Sequence, residues 1–345
     1  MKKIVFGSIH PNAGKTSTIV GVINALDKKV SYMKPFGDRL IYRRKRLWDY
    51  DAALIANMLK LEEVHDDITI GFDHSKMKYT YNEETLKKKL EEVAENLGGG
   101  SEVLLIEAGK DVVYGGSVNL DTFSMARQLD AELVFIVAGD DDTIHDEVDF
   151  INEYVAKENV KFKGIIINKV HDLDDFKSTY LPDIEAKGIK VLGVVPFKPE
   201  LTYFTVDYLA EWLLAKVLAG ESGMNNEIMN IFVGSILTDE AFRHPIMSAE
   251  KKLVIVSGDR TDLIMASLDG DTAAVILTNN FVPHSNIIAA ATEKNIPLLL
   301  VTTDTYQTAK KVESLEPLVS LRSTAKFDVL KNLIKDNVKM EDIIS

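Results

Sequence analysis

The chain has 345 residues, of which 46% are hydrophobic and 27% charged, and its formal net charge is −13 at pH 7. These values are typical of a globular protein, and the length is sufficient for two domains with a sizeable core. The sequence contains no cysteine, which excludes disulfides, thiolate metal sites and cysteine nucleophiles and favours a cytoplasmic location.

The charge and the hydropathy pattern argue against two kinds of partner. Nucleic-acid binding usually needs a basic patch. The one basic cluster, RLIYRRKR at 39–46, is more typical of a solvated loop, although it could hold phosphates. No apolar run approaches the roughly 20 residues of a membrane span, and the N-terminal MKKIVFGSIH lacks the features of a signal peptide. We therefore predict no nucleic-acid and no membrane partner.

Short apolar runs alternate with helical patterns over residues 1–218. The runs have strand length: KIVF, VSYM, EVLLIE, ELVFIVA, GIIIN and KVLGVV. Residues between them lie at helical spacing, first Ile19, Val22, Ile23 and Leu26 and later Leu86, Leu90, Val93 and Leu97. This alternation predicts an α/β fold in which a parallel sheet has helices on both faces.

A second, smaller α/β domain is predicted at 227–345, after a small and polar linker at 219–226. Its apolar runs are KLVIVS, TAAVILT, IPLLLVT and PLVSL, again separated by helical patterns. The segment AKFDVLKNLI closes the chain, with Phe327, Leu330 and Ile334 on one face of a helix.

A phosphate-binding loop is predicted within IVFGSIHPNAGKTSTIVGV, residues 4–22. Gly14, Lys15 and Thr16 match the end of the Walker pattern, whereas Ile9 stands where its first glycine is expected and Gly7 comes two residues early. A strand precedes the loop and a helix follows it, as the motif requires. Lys15 would reach the β- and γ-phosphates and the Thr16 hydroxyl would bind Mg²⁺. The alternative, a strand-to-helix turn without a ligand, explains the glycines but not Lys15 and Thr16.

Further polar residues follow the ends of predicted strands, where open α/β sheets bind ligands. Glu107 at a strand end, and Asp49 and Asp51 at a helix start, are candidate Mg²⁺ ligands. Lys34 follows another strand, and the Asn168 amide could bind an adenine edge. Each has an alternative role: a helix-terminal charge or cap for Asp51, solvent exposure for Lys34 and an Asx turn for Asn168.

The order of these motifs resembles that of dethiobiotin-synthetase-like P-loop proteins, in the variant found at the N-terminus of long phosphotransacetylases. The resembling motifs are the loop from Gly7 to Thr16, MKPF, DYDAALIA, LLIEAG, GIIINKV and VLGVVPF. The second domain resembles the DRTGG domain through LVIVSGDRTDLIMASL and IPLLLVTTDTYQTAKKV, although Asp262 and Leu263 replace its two glycines. The resemblance implies a P-loop NTPase-type fold followed by a DRTGG-like regulatory or dimerisation domain.

The resemblance also implies roles for individual residues, with ATP and Mg²⁺ as cofactors. Lys15 and Lys34 would be catalytic, and Lys34 would meet the transferred phosphate or the substrate. Mg²⁺ would be held by Thr16, Asp51 and Glu107. The nucleotide would be bound by Gly7, Asn12, Ala13, Gly14, Lys15, Thr16, Ser17, Asn168 and Pro196.

Three positions depart from related patterns. Ala108 follows Glu107, where dethiobiotin synthetases carry a glycine, and 140–142 is acidic where a substrate-facing loop is expected. Both departures argue against dethiobiotin synthesis. His10 occupies the place of the signature lysine of partitioning ATPases, where it is more typical of a loop hydrogen-bonder but could approach the γ-phosphate.

The second domain contains a candidate effector site at Gly258, Asp259, Arg260 and Thr261. Arg260 and the helix start that follows could bind an anion or a nucleotide. The alternatives are an internal Asp259–Arg260 pair and a dimer contact. In TTDTYQT, Thr303 or Asp304 is predicted to cap a helix.

Three functions are compatible with this sequence. The chain ends at Ser345 without the acyl-transferring domain of long phosphotransacetylases, so we expect no phosphotransacetylase activity. We expect first a Mg-ATP-binding regulator with a small-molecule effector. The alternatives are an ATP-dependent ligase or synthetase that activates a carboxylate by phosphorylation, and a non-catalytic partner of a separate acyltransferase. A homodimer is expected, since symmetric dimers are the commonest oligomers.

Overall fold

The computed structural model describes residues 1–43, 46–61, 68–234, 248–317 and 324–345. Arg44 and Lys45 of the basic cluster and most of the predicted strand PLVSL lie outside these ranges. Two compact units are present: one comprises residues 1–198 and the last two helices, and the other begins at Pro199 and ends before those helices. Across the described ranges, no helix combines the length and the apolar character needed to cross a bilayer.

The first unit is built on a parallel sheet of six strands in the order β2-β5-β1-β6-β7-β8. A separate antiparallel hairpin is formed by β3 and β4. The strands are β1 (Lys2–Gly7), β2 (Val30–Met33), β3 (Leu40–Arg43), β4 (Arg46–Asp49), β5 (Val103–Glu107), β6 (Glu132–Val137), β7 (Lys161–Val170) and β8 (Val191–Pro196).

Helices connect the parallel strands. They are α1 (Lys15–Ala25), α2 (Tyr50–Met58), α3 (His74–Thr80), α4 (Glu83–Gly98), α5 (Thr122–Gln128), α6 (Asp141–Glu158), the short α7 (Leu173–Asp175) and, after a π-helical turn, α8 (Leu181–Ala186). The connection through α1 runs from β1 toward one sheet edge, and that through α6 runs from β6 toward the other. Because such crossovers are right-handed, the two connections place helices on opposite faces, and the strands between them are nearly continuously buried.

The second unit has a mixed sheet in the order β10-β15-β14-β13-β12, in which β10 pairs antiparallel to β15 and the other strands are parallel. Its strands are β9 (Phe204–Thr205), β10 (Lys216–Ala219), β11 (Glu227–Ile228), β12 (Asn230–Val233), β13 (Lys252–Ser257), β14 (Thr272–Thr278) and β15 (Leu298–Leu300), and its helices are α9 (Val206–Leu213), α10 (Thr261–Ser267), α11 (Ser285–Glu293) and α12 (Thr305–Glu313). Two apolar clusters form its core.

The bounds of the units differ from the bounds expected from the sequence in two places. Residues 199–218 lie in the second unit, because the apolar face of α9 packs into its core and β10 joins its sheet. The last two helices, α13 (Thr324–Asn337) and α14 (Met340–Ile344), belong to the first unit, where α13 packs against α1. A Cβ at Gly21 of α1 would overlap the Ile334 side chain, so glycine permits this close helix contact.

Candidate nucleotide-binding site

The loop between β1 and α1 has the backbone geometry of a tight strand-to-helix connection. Gly14 precedes α1 with φ +99°, in the left-handed region that favours glycine, and a Cβ there would overlap the Asn168 side chain. The Asn168 Nδ2 donates to the Ala13 carbonyl at 2.9 Å, and the Lys169 Nζ donates to the Asn12 carbonyl at 2.6 Å. The end of β7 therefore fixes the loop just before the helix begins.

Lys15 lies at the start of α1 with its side chain turned into the protein. Its Nζ donates to the Ser8 Oγ at 2.6 Å and to the Lys110 carbonyl at 3.0 Å. Burial lowers the pKa of Lys15, while Glu107 and, more weakly, Asp38 act in the opposite direction. The ammonium is thus desolvated, and both of these hydrogen-bond acceptors are neutral oxygens.

Glu107 lies at the carboxyl end of β5 and joins the loop to the neighbouring strand. It accepts hydrogen bonds from the Thr16 hydroxyl at 2.7 Å and from the Tyr32 hydroxyl at 2.8 Å. Burial raises the pKa of Glu107 from 4.5 to about 7, against the lowering effect of Lys34. A cation placed beside this carboxylate would favour its charged form.

Lys34 lies at the end of β2 among three carboxylates. Its Nζ is 2.7 Å from Asp38 Oδ1, 3.2 Å from Asp49 Oδ1 and 2.9 Å from Asp51 Oδ2. Burial opposes the charge of Lys34, but the neighbouring carboxylates, Asp51 first, raise its pKa well above the ordinary value. Asp51 also binds Arg39 at 3.0 Å. Asp51 is therefore engaged by two cations.

From the sequence, the alternative role of Asp51 was a charge or a cap at the start of α2. Asp49 is the N-cap residue and accepts from the Ala52 N–H, whereas Asp51 lies in the first turn of the helix. The structure excludes the alternative of solvent exposure for Lys34, since only 1% of the residue is exposed and three acidic side chains surround its ammonium.

The structure brings some of the predicted site residues into contact with one another and leaves others apart. The loop residues, Lys15, Thr16 and Glu107 form one connected group, and Lys34 with Asp51 forms a second that acts electrostatically on Glu107. Ser17 follows in α1, and Gly7 packs closely against Thr122. The Asn168 amide contacts the loop backbone, and Pro196 pairs with Val170 at the end of the sheet.

The three acidic residues at 140–142 lie at the start of α6. Asp140 is the N-cap of α6, where its carboxylate accepts from the Thr143 N–H at 2.9 Å, and Asp141 and Asp142 lie in the first turn. Negative charges are favourable at this end of a helix.

In the second unit, the segment 258–261 follows β13 and leads into α10. The Arg260 guanidinium donates from Nε and Nη2 to the two Asp262 carboxylate oxygens, each at 3.1 Å. The pair therefore involves Asp262, whereas the alternative weighed from the sequence was Asp259. Asp304 caps α12 and accepts from the Gln307 N–H at 2.7 Å, which confirms the cap prediction.

Four side chains near the loop were missed from the sequence. Tyr32 lies in β2, two residues before Lys34, and Ser8 follows β1 directly. Asp38 lies four residues after Lys34, in a connection without periodicity. Glu147 carried a recognisable signal: it shares the apolar face of α6 with Ile144, Val148 and Ile151 by helical spacing.

Comparison with known proteins assigns both units. The family model of an AAA domain matches residues 2–204, and that of a DRTGG domain matches residues 208–315. A phosphate acetyltransferase of Nitrosomonas europaea is 21% identical over an alignment that covers 96% of this chain and 50% of the relative. That of Pseudomonas putida is 26% identical over 66% of this chain and 35% of the relative. The chain spans half or less of the length of these two relatives.

Among solved structures, the chain is similar to a putative plasmid partition protein of Borrelia burgdorferi bound to AMPPNP. The TM-score is 0.40 and the sequence identity is 15%, and the alignment covers 58% of this chain and 88% of that chain. This score is low, and the assignment rests on the family models. Residues 2–204 extend over more than half of the chain and contain the loop described above. The chain therefore belongs to the AAA domain family, as a dethiobiotin-synthetase-like P-loop protein followed by a DRTGG domain in the manner of long phosphate acetyltransferases.

Proposed function

We propose that this chain is a regulator that binds Mg-ATP at the loop of residues 7–17. The observation that supports the proposal is the environment of Lys15. Its ammonium is buried, with a residue exposure of 7%, and among the described residues no carboxylate lies within ion-pair distance of it. A buried cation without a paired anion is costly, and a phosphate bound at the start of α1 would supply the counter-charge.

Thr16 and Glu107 fit a magnesium ion. Both offer hard oxygen ligands, and the raised pKa of Glu107, about 7, reflects a buried carboxylate that a cation would stabilise. Asp51 fits less directly, because Lys34 and Arg39 already bind it. When bound, Mg²⁺ would neutralise phosphate charge, while Lys15 would bind and orient the same phosphates.

The remaining assignments are part of this proposal. Asn168 and Pro196 would lie beside the base, with the Asn168 Nδ2 holding the loop through the Ala13 carbonyl. The segment 258–261 would bind a small effector, and an anion there would compete with Asp262 for Arg260. A homodimer and a cytoplasmic location remain predictions, and light scattering of the purified chain tests the homodimer.

Calorimetric titration of the full chain with ATP, in the presence and absence of Mg²⁺, tests the proposal. We expect saturable binding that is at least tenfold tighter with Mg²⁺, and little hydrolysis over hours. ADP and GTP titrations would define which nucleotide is preferred. Absence of binding to every nucleotide, with a folded protein by circular dichroism, would exclude the proposed function.

A second function, an ATP-dependent ligase, is favoured by one observation. The Lys34 ammonium is fixed by three carboxylates close to Glu107. A positioned cation of this kind can stabilise charge on a transferring phosphoryl group. If the chain is a ligase, one carboxylate metabolite should strongly stimulate ATP hydrolysis. A screen of such metabolites that leaves hydrolysis at background would favour the regulatory function.

A further inference from the structure

A carboxylate is buried on α6 without a hydrogen-bond partner. Glu147 has 3% residue exposure and lies on the apolar face of the helix with Ile144, Val148 and Ile151. Within the described part of the chain, neither Oε1 nor Oε2 has a hydrogen-bond partner. Leaving a charged carboxylate in this state is unfavourable, so the position indicates a role that packing does not supply.

The phosphate loop provides the neighbour of this carboxylate. Glu147 Oε1 lies 3.6 Å from the His10 Nε2, and the His10 side chain is 62% exposed. The Ser8 Oγ donates to the His10 carbonyl at 2.7 Å and itself accepts from the Lys15 ammonium. The His10 backbone is therefore connected to Lys15 through the Ser8 hydroxyl.

The charges around the pair come from two elements. His10 faces Glu147 from the loop, and Lys15 acts on it from the start of α1. Burial raises the pKa of Glu147 from 4.5 to about 7, while the nearby Ala138 backbone N–H, outside normal hydrogen-bond geometry, and Lys15 act in the opposite direction. The Glu147 carboxyl thus changes charge near neutral pH.

We propose that His10 and Glu147 form a proton-dependent contact for the terminal phosphate of a nucleoside triphosphate. The inference rests on the proposed function, because it requires phosphates at Lys15. On binding, the imidazole takes one proton from solvent, and the imidazolium bridges the Glu147 carboxylate and the terminal phosphate. The covalent structure of the nucleotide is unchanged.

The charges explain why the proton is taken up. Two anions on either side of an imidazole favour its cationic form. A diphosphate lacks the terminal group, so it leaves the imidazole with the carboxylate alone. Triphosphate binding should therefore consume about one proton more than diphosphate binding does, and this linkage weakens triphosphate affinity as pH rises.

Calorimetry of the full chain with Mg²⁺ at pH 8 measures this difference. AMPPNP and ADP are titrated in two buffers of different ionisation enthalpy, which gives the protons taken up by each. The variants are His10→Asn and Glu147→Gln, with His284→Asn and Glu153→Gln as matched exposed controls. We expect AMPPNP to consume more protons than ADP in the wild type and both controls, and this excess to disappear in both variants while ADP affinity changes less than threefold.

The outcomes are distinct. Equal proton uptake for AMPPNP and ADP in the wild type overturns the proposal, as does an excess that survives His10→Asn, which would place the proton elsewhere. An excess retained in Glu147→Gln overturns the part played by the carboxylate. No binding of either nucleotide by the wild type overturns the proposed function, and this proposal with it.

Discussion

The Thr16 hydroxyl donates to Glu107 Oε1 at 2.7 Å, which joins the first turn of α1 to the carboxyl end of β5. These oxygens are the two that the proposed magnesium ion would contact. Because the hydroxyl is fixed by the carboxylate, both ligands are already close before a cation arrives, so little reorganisation is needed on binding.

Thr16→Ala tests this arrangement. Removal of the hydroxyl deletes one metal ligand and releases Glu107, so ATP affinity in Mg²⁺ should fall toward the Mg²⁺-free value. Calorimetric titrations with and without Mg²⁺ give the ratio, and Thr80→Ala, an exposed helical threonine, is the control. A variant that keeps the wild-type ratio would show that the hydroxyl does not bind the ion.

Lys15→Ala should weaken ATP binding about 10- to 100-fold, as expected for the loss of charge-assisted hydrogen bonds worth about 1.5–3 kcal/mol. Fluorescence titration with a labelled ATP analogue measures this change. Lys28→Ala, at an exposed lysine between α1 and β2, should bind as the wild type does. If the two variants bind equally well, Lys15 does not contact the phosphates.

Glu147 should make stability depend on pH. Its folded pKa, about 7, lies above the ordinary 4.5, so the folded state binds more protons in this window and the free energy of unfolding falls as pH rises through it. Glu147→Gln should remove this contribution and raise stability at pH 8 by about 2 kcal/mol, below the value for a fully buried charge.

Urea denaturation between pH 4.5 and 8 measures the effect. Glu107 contributes a slope of the same sign because its pKa is also raised to about 7, so the variant should flatten the profile only in part. Glu153→Gln, on the exposed face of the same helix, should keep the wild-type profile. If the free energy of unfolding fell more steeply with pH in Glu147→Gln than in the wild type, the prediction would be contradicted.

Lys34→Met should destabilise the first unit by about 3 kcal/mol, because three acidic side chains lose their shared cation. The carboxylates then repel one another, so acidification that protonates them should restore part of the loss. Thermal unfolding of the variant and the wild type at pH 5 and pH 8 compares the protonated with the charged carboxylates. A difference from the wild type that is equal at both pH values would exclude the electrostatic explanation.

Gly21→Ala separates helix propensity from packing. In an exposed helix this change stabilises by about 1 kcal/mol, but here the new methyl group would overlap Ile334 of α13. We therefore expect a loss of about 1–3 kcal/mol in urea denaturation. Combining it with Ile334→Ala should give less than the sum of the single losses, and full additivity would mean that the helices do not meet at these residues.

The parallel sheet of the first unit could be predicted because each buried strand is a continuous apolar run bounded by a helical pattern. The loop residues Gly14 to Thr16 could be found because the motif fixes their spacing. The surroundings of Lys34 could not, since Asp38, Asp49 and Asp51 reach its ammonium from a loop and a helix start whose spacing has no period.

The bounds of the two units could not be predicted from the sequence for a different reason. The apolar face of α13 was recognised from Phe327, Leu330 and Ile334, but an amphipathic face does not specify which core it joins. Adjacency in sequence favoured the second unit, whereas Leu330 and Ile334 meet Gly21 in the first. The missing information is the complementary shape of α1, which periodicity does not encode.

The return of α13 to α1 has a consequence for folding during synthesis. The loop between β1 and α1 is translated first, yet the helix that covers the Gly21 face is translated after the whole second unit. The first unit therefore remains incomplete on the ribosome, with the apolar surface around Gly21 uncovered, until translation has passed residue 337. A truncated fragment ending at residue 198 would keep that surface exposed and should aggregate more readily than the full chain.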